Sequence, residues 1–204
     1  SMQGARENIG RIASIVKELS LLSKNEAEKL VPLNLNHMIR SYLGSAEFKS
    51  LKLRCINVIF DEALWPDIPA ISGAELQLQR VVMNLFINAC QAMPDGGRMT
   101  ITTTVEHVAE DVLGYQLIRE GDYVVARFRD SGVGIPRENF NRIFEPFFST
   151  KAKSADAGSG LGLAIVHGVM RYHNGSIDVR SEPGKGTEFA LYFPLISWDE
   201  LDRR

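Results

Sequence analysis

Residues 76–93 have the sequence LQLQRVVMNLFINACQAM, a stretch whose two sides differ in character when it is drawn as a helix. One side carries apolar residues at helical spacing, which predicts a helix packed on a core: Leu78, Val82, Leu85, Ala89 and Ala92. The opposite side carries polar residues three or four positions apart: Arg80, Asn84, Asn88 and Gln91. A solvated helix face more often carries Lys and Glu. The two asparagines therefore indicate either groups that face a ligand or a plain amphipathic helix.

The composition of the 204-residue chain is that of a globular protein, with 45% hydrophobic and 24% charged residues and a formal net charge of -2. This balance gives no reason to expect a nucleic-acid partner. No apolar run approaches the ~20 residues that span a bilayer, and a signal-peptide pattern is missing. We therefore expect a cytoplasmic polypeptide, and the sequence leaves open whether a parent protein is anchored in a membrane.

The N-terminal region predicts an appendage that precedes the main domain. Ser1-Met2 resembles a pair left by tag removal, which predicts a fragment of a longer protein. Residues 5–23 carry an apolar seam typical of a bundle helix that needs a partner, although a helix lying on its own domain is the alternative. We assign residues 1–30 to this helix and a linker, 31–197 to the main domain and 198–204 to a tail.

The cysteines and histidines predict no metal site of nitrogen or sulfur ligands. Cys55 and Cys90 are too few and too far apart for a disulfide framework or a metal cluster, so we expect two reduced thiols. The histidines show no metal-ligand spacing either: they are His37, His107, His167 and His173.

Alternating segments predict strands, and one of them ends on a carboxylate. We expect a helix from Asn34 to about Phe48, strands at 51–60, 99–105, 123–130, 176–181 and 187–195, and a loop or short helix at 107–121. The alternation in the third strand puts Asp130 on the inward face. A buried carboxylate costs several kcal/mol unless a hydrogen-bond donor meets it. The inward position of Asp130 therefore requires a hydrogen-bond donor nearby.

Glycine-rich segments follow these elements. SGVGIP at residues 131–136 lets the backbone approach a ligand closely, and GSGLGL at 158–163 opens a helix whose free N–H groups suit an anion. PGKG at 183–186 joins two strands as a hairpin. Between the first two segments lie an aromatic cluster at 140–148 and a small-residue stretch, 149–158, with the composition of a mobile lid. Each signal alone is weak.

The order of the segments is far more specific than any one of them. An Asn-Ala helix, D-x-G-x-G-I after a strand, F-x-P-F-F, G-x-G-L-G-L and G-x-G-T follow one another between residues 33 and 195. In this order the chain resembles the ATP-binding catalytic domain of bacterial sensor histidine kinases, which belong with gyrase, Hsp90 and MutL in one ATPase superfamily. The resemblance implies an α/β (α+β) two-layer sandwich. Its mixed, mostly antiparallel sheet would be covered by three helices and preceded by a dimerization helix.

The resemblance also implies a role for each matching residue. Asn88 matches the asparagine whose side-chain oxygen binds the Mg²⁺ that bridges the ATP phosphates, and Asn84 stands where gyrase-type relatives carry a glutamate that activates water. An amide cannot act as a general base, which favours transfer to a protein nucleophile over hydrolysis. Asp130 matches the aspartate that accepts a hydrogen bond from the adenine amino group. Lys151, at the start of the lid, matches a cation for the phosphates.

Further contacts with the nucleotide are implied at nine positions: Gly132, Gly134, Ile135, Thr150, Gly158, Gly160, Leu161, Gly162 and Thr187. The chain departs from the pattern at Gln91, where many family members carry Lys or Arg. This departure puts more of the phosphate charge on Lys151 or Arg80, or on magnesium.

The resemblance implies that the chain binds Mg-ATP and donates the γ-phosphoryl group to a histidine of a dimerization domain. Residues 5–23 match the end of the second helix of that hairpin, so the accepting histidine is missing and the chain alone should not autophosphorylate. A homodimer of the full-length protein and the receiver domain of a response regulator are the implied partners. Two alternatives stay open: an ATP-driven clamp or slow ATPase of the same superfamily, and a nucleotide-binding signalling module without kinase activity.

Overall fold

A computed structural model describes residues 28–149 and 159–195 of the protein. The strands are β1 (Val31–Leu33), β2 (Val58–Leu64), β3 (Ile71–Gly73), β4 (Gly97–Val108), β5 (Val112–Leu113), β6 (Leu117–Ile118), β7 (Gly121–Asp130), β8 (Ser176–Glu182) and β9 (Gly186–Pro194). The helices are α1 (Leu35–Gly44), α2 (Ala46–Lys52), α3 (Glu75–Ala92) and α4 (Gly162–Tyr172), with a 3-10 helix at Arg137–Arg142. The dimerization helix and the tail predicted from the sequence lie outside the described residues.

Five strands form one sheet in the order β2-β4-β7-β9-β8. β2 runs parallel to β4 and the other neighbours are antiparallel. Apolar side chains of α1, α3 and α4 are buried in one core with the inward residues of the sheet, such as Ala126 and Phe128. The predicted two-layer sandwich with a mixed, mostly antiparallel sheet is confirmed. The structure also contains the short helix α2, which is additional to the three predicted helices.

The helix α3 covers the predicted stretch except Met93, which follows its last residue, and it buries four of the five predicted apolar residues, while Ala92 is half-buried. Its N-terminus has no side-chain cap of its own at Ala74. The carboxylate of Glu28 supplies one, since Leu76 and Gln77 donate their backbone N–H groups to it at 3.1 and 3.3 Å. A negative charge at this end also interacts favourably with the helix dipole. Glu28, the first described residue, is thereby attached to α3.

His173 connects the end of α4 to the start of α3. Its ring is 3% exposed. Nδ1 donates to the carbonyl of Val169 at 2.7 Å, and Nε2 accepts the backbone N–H of Ala74 at 3.0 Å. These contacts fit the neutral ring only, because a protonated Nε2 cannot accept. Burial lowers the pKa of His173 below its ordinary value.

We expect acid to destabilise the domain through His173. Its folded-state pKa lies below that of the unfolded chain, so the stability it contributes is present above the unfolded pKa and is lost as the pH falls through the folded one. His167, whose pKa burial also lowers, acts in the same direction.

Urea unfolding at about pH 7.5 and about pH 5.5 measures this effect. His173→Gln should cost roughly 1–2 kcal/mol at the higher pH and should lose less stability on acidification than the wild type. His37→Gln, at an exposed position, is the control. An identical loss of stability on acidification in wild type and His173→Gln would contradict the assignment.

The prediction for residues 34–60 is wrong in its boundaries. The helix divides at Ser45, whose Oγ accepts the N–H of Phe48 at 3.1 Å and so begins α2. The strand starts only at Val58, because β4, its partner, begins at Gly97 and offers no pairing before that point. Ile56 is consequently 78% exposed and does not share the inward face with Val58.

The prediction of a loop or short helix at residues 107–121 is also wrong. β4 extends to Val108, and β5 and β6 form a small antiparallel hairpin. Ile118 of this hairpin packs with Tyr123 and Tyr192 on the sheet face opposite the helices. The hairpin also contacts the edge strand β8, where Ile177 donates its N–H to the side chain of Gln116 at 2.9 Å. Strands of two residues carry too little alternation to be recognised.

The expectation of two reduced thiols is corrected as well. The structure joins Cys55 and Cys90 in a disulfide, and the Cα atoms are 5.9 Å apart, a usual disulfide separation. Cys55 precedes β2 and Cys90 lies in the last turns of α3, so packing of α3 beside β2 brings them together. The two cysteines are 35 residues apart in the sequence, and no sequence pattern indicates that they are close in space.

Candidate functional site

Asp130 ends β7 inside the fold, as the strand period predicts. It is 7% exposed. Its Oδ1 accepts the backbone N–H of Gly132 at 2.8 Å and that of Thr187, on the neighbouring β9, at 3.3 Å. The protein itself therefore supplies two of the donors that a buried carboxylate needs. These contacts orient the carboxylate at the end of the sheet.

The first glycine segment lies between α3 and the β8–β9 hairpin. A Cβ atom on Gly132 would lie 2.6 Å from the carbonyl oxygen of Ala92, and Val133 donates its N–H to that same oxygen at 3.0 Å. Gly134 has a positive φ of 72° and lies against the backbone of Glu182. Larger residues would push the turn away from both elements, so the glycines permit this close packing.

Thr187 lies beside Asp130 and is 5% exposed. Its hydroxyl is 2.9 Å from that of Ser181 on β8. Ser181 accepts the N–H of Ile135 at 2.8 Å and donates to the carbonyl of Gly186 at 3.0 Å. Sequence reasoning missed Ser181. Its pairing opposite Thr187 in the predicted hairpin is the signal that could have identified it.

The polar side of α3 faces the start of α4. Asn84 is 9% exposed, and its Oδ1 would lie 3.2 Å from a Cβ atom on Gly162. The side-chain Nδ2 atoms of Asn84 and Asn88 are buried and have no hydrogen-bond partner among the described residues. Buried polar atoms are nearly always paired, so two unpaired amides on one helix face indicate a ligand-binding surface.

The second glycine segment is held against the aromatic cluster. Gly160 has a positive φ of 73°, and its carbonyl accepts the N–H of Phe147 at 3.0 Å. Leu161 is fully buried, and α4 begins at Gly162. The first N–H groups of α4 are therefore suited to an anion. The predicted site residues Thr150, Lys151 and Gly158 lie outside the described residues.

The structure brings the predicted residues together in two groups. Asp130 and Thr187 form the first with the turn that contains Gly132, Gly134 and Ile135. The second contains residues of α3 and of the start of α4: Asn84, Asn88, Gly160, Leu161 and Gly162. Helix α3 connects the groups, because its last residue, Ala92, contacts Gly132. Such an arrangement suits a long ligand with a hydrogen-bonding end and an anionic end.

The available ligand atoms favour a hard cation in the second group. The described residues contain no group of three or more His, Cys, Asp or Glu side chains able to hold a metal ion. The amides of Asn84 and Asn88 present oxygen when turned, and Mg²⁺ accepts one or two protein oxygens and keeps waters or phosphates as its other ligands. The residues present therefore fit Mg²⁺ that arrives with a phosphate-bearing ligand.

Within residues 28–149 and 159–195, every helix is too short or too polar to cross a membrane.

Comparison with known proteins identifies one matching family and several similar kinases. The family described as histidine kinase-, DNA gyrase B-, and HSP90-like ATPase matches residues 73–197. The sensor kinase CckA of Brucella abortus (strain 2308) is 36% identical over 195 residues, which cover 94% of this chain and 20% of CckA. The chain thus spans about a fifth of the length of the curated relatives it matches first.

Solved structures agree with the fold. The nucleotide-free catalytic domain of histidine kinase ThkA has a TM-score of 0.61 at 27% identity, covering 81% of this chain and 95% of that one. ThkA in complex with the response regulator protein TrrA has a TM-score of 0.65 at 26% identity, covering 93% of this chain and 48% of that one.

Proposed function

The chain belongs to the histidine kinase-, DNA gyrase B- and HSP90-like ATPase family, and from this premise we propose that it binds Mg-ATP and donates the γ-phosphoryl group to a histidine of a dimerization domain. The reaction would be the first step of two-component signal transduction. The receiver domain of a response regulator would take the phosphoryl group next, as the complex of the relative ThkA with TrrA suggests.

The observation that carries this proposal is the pair of unpaired amides on α3. Asn84 and Asn88 present buried Nδ2 atoms with no partner in the described part of the chain. In the family pattern Asn88 holds the ion that accompanies the phosphates. Mg²⁺, when bound, would neutralise phosphate charge, and Asn88 would hold it with Asn84 beside it.

Asp130 supports the proposal that the adenine of ATP binds at the end of β7. Its Oδ1 is engaged by two backbone N–H groups, so the carboxylate is oriented before a ligand arrives. A carboxylate accepts from the amino group of adenine, and Thr187 adjoins it with a hydroxyl linked to Ser181. We propose the same type of contact for the backbone at Gly132, Gly134 and Ile135.

The phosphate end is proposed to lie at the start of α4. The backbone at Gly160, Leu161 and Gly162 would bind phosphate oxygens there. Three further contacts with the nucleotide are proposed from the sequence alone, at Thr150, Lys151 and Gly158. Catalysis by such a site rests on positioning and electrostatics, since Asn84 supplies no general base.

None of the four histidines of this chain has the setting that the family pattern implies for the phosphoryl acceptor, the first helix of a dimerization hairpin. Both ring nitrogens of His173 are engaged in the core, the ring of His167 contacts that of Phe144, and His107 pairs with Asp122 at 2.7 Å. His37 is exposed at the first turn of α1. We therefore place the acceptor on a separate hairpin, and a homodimer of the full-length protein would bring that hairpin to the site.

Labelling with γ-labelled ATP and Mg²⁺ tests the function. We expect no acid-labile phosphate on this chain alone and a labelled product when the dimerization hairpin is supplied as a separate polypeptide. A hairpin whose histidine is replaced by glutamine is the control and should stay unlabelled. Acid-labile phosphate on this chain alone would contradict the proposal. Steady ATP turnover without an acceptor would favour the clamp or slow ATPase, and failure to bind ATP would favour a module without kinase activity.

A further inference from the structure

The disulfide between Cys55 and Cys90 lies next to the proposed site and has no part in the function proposed above. Cys90 follows Asn88 by two residues on α3, and Cys55 lies in the turn between α2 and β2. The bond therefore joins the helix that carries the two unpaired amides to a surface loop. Both cysteines are half-buried, neither fully enclosed in the core.

The loop also contacts, through the backbone, the turn that joins α3 to β4. Gly97 donates its N–H to the carbonyl of Asn57 at 3.2 Å, and a Cβ on Gly96 would lie 2.7 Å from that carbonyl. At the other side, the carbonyl of Ala92 accepts the N–H of Val133 in the turn after Asp130. The last turn of α3 is thus held between the cysteine loop and the turn proposed to contact adenine. A covalent bond at Cys90 restricts how that turn moves.

The surroundings of Cys55 favour reaction with a small oxidant. A pocket of about 420 Å³ opens beside it, lined by Lys49, Lys52, Leu53, Cys55, Ile56 and Val58. A small oxidant can therefore reach a reduced Cys55, and the thiolate is the form of a cysteine that reacts. Leu53 and Ile56 are 75% and 78% exposed, so the pocket is open to solvent.

We propose that Cys55 and Cys90 are a reversible redox pair, in which oxidation by hydrogen peroxide locks the last turn of α3 and raises the affinity of the site for nucleotide. The thiolate of Cys55 attacks a peroxide oxygen, the O–O bond breaks, and one water leaves as a sulfenic acid forms. The thiol of Cys90 then attacks that sulfur and displaces a second water. Two thiols lose two electrons and two protons, and hydrogen peroxide is reduced to two waters. A dithiol reverses the change by exchange.

The modification is tested by counting thiols. The chain treated with hydrogen peroxide and then with an alkylating agent is expected to gain no label, whereas the dithiothreitol-reduced chain gains two. Reduction should also lower the melting temperature by about 5 °C or more, because the cross-link no longer restricts the unfolded chain. Two alkylatable thiols after peroxide, or a disulfide that joins two chains, would overturn the proposal.

The predicted change in nucleotide affinity is tested by calorimetric titration with Mg-ATP. This part of the proposal rests on the proposed function, because it assumes that the site binds ATP. The oxidised chain is expected to bind about fivefold more tightly than the reduced chain. Cys55→Ser, which changes only the loop, should bind like the reduced wild type and should not respond to peroxide. Equal affinity in the two redox states would overturn the coupling while leaving ATP binding intact. No binding in either state would instead refute the proposed function, which the thiol count does not depend on.

Discussion

Asp130→Asn is expected to lower the affinity for ATP by about 10- to 100-fold. The carboxylate accepts two backbone N–H groups through Oδ1. An asparagine must turn its oxygen toward those donors, which leaves its NH₂ group pointing where a carboxylate oxygen would accept the amino group of adenine. Two donors then face each other, and the hydrogen bond becomes a repulsion. Calorimetric titration with Mg-ATP measures the loss.

Asp178→Asn is the matched control. Asp178 is 8% exposed, close to the 7% of Asp130, and accepts the N–H of Tyr115 at 3.0 Å near the β5–β6 hairpin. Its replacement changes a buried carboxylate away from the site, so ATP affinity should stay within about twofold of wild type. Unchanged affinity of Asp130→Asn, or an equal loss in both variants, would refute the assignment of Asp130.

Asn88→Ala is expected to abolish the dependence of ATP binding on Mg²⁺ and to lower Mg-ATP affinity about 10-fold or more. The variant should keep the stability of the wild type within about 1 kcal/mol, because the Asn88 amide nitrogen has no partner in the described protein. If Asn88 instead had only a structural role, the variant would be less stable than the wild type, and Mg²⁺ would still change its affinity for ATP.

Titrations with ATP in the presence of Mg²⁺ and of EDTA measure this dependence. Gln79→Ala is the control on the same helix, since its amide bonds to Glu75 at 3.3 Å on the outer side of α3. It should bind Mg-ATP as the wild type does. If Asn88→Ala still bound ATP more tightly with Mg²⁺ than with EDTA by the wild-type factor, Asn88 would not be a ligand of the ion.

The positions of the candidate residues could largely be predicted from sequence because the signals for them are local, whereas their proposed roles come from the resemblance. The strand period places Asp130 inward, and helical spacing puts Asn84 and Asn88 on one side of α3; the structure has both features. The glycine segments likewise lie at the predicted turns. Ser181 could not be singled out by its residue type, because a serine in a strand becomes part of a site only through the neighbours that its hydroxyl bonds.

From the sequence alone, periodicity, turn residues and glycines locate many of the strands, helices and turns, because these signals act within a few positions of the chain. The layered sandwich follows from the resemblance that the order of these segments carries. Which distant residues contact one another is seen only in the folded chain. The fold joins Cys55 to Cys90, attaches Glu28 to the start of α3, and packs the hairpin that contains Ile118 against the sheet. Each of these contacts depends on how elements pack, a property of the whole core that no short stretch of sequence encodes.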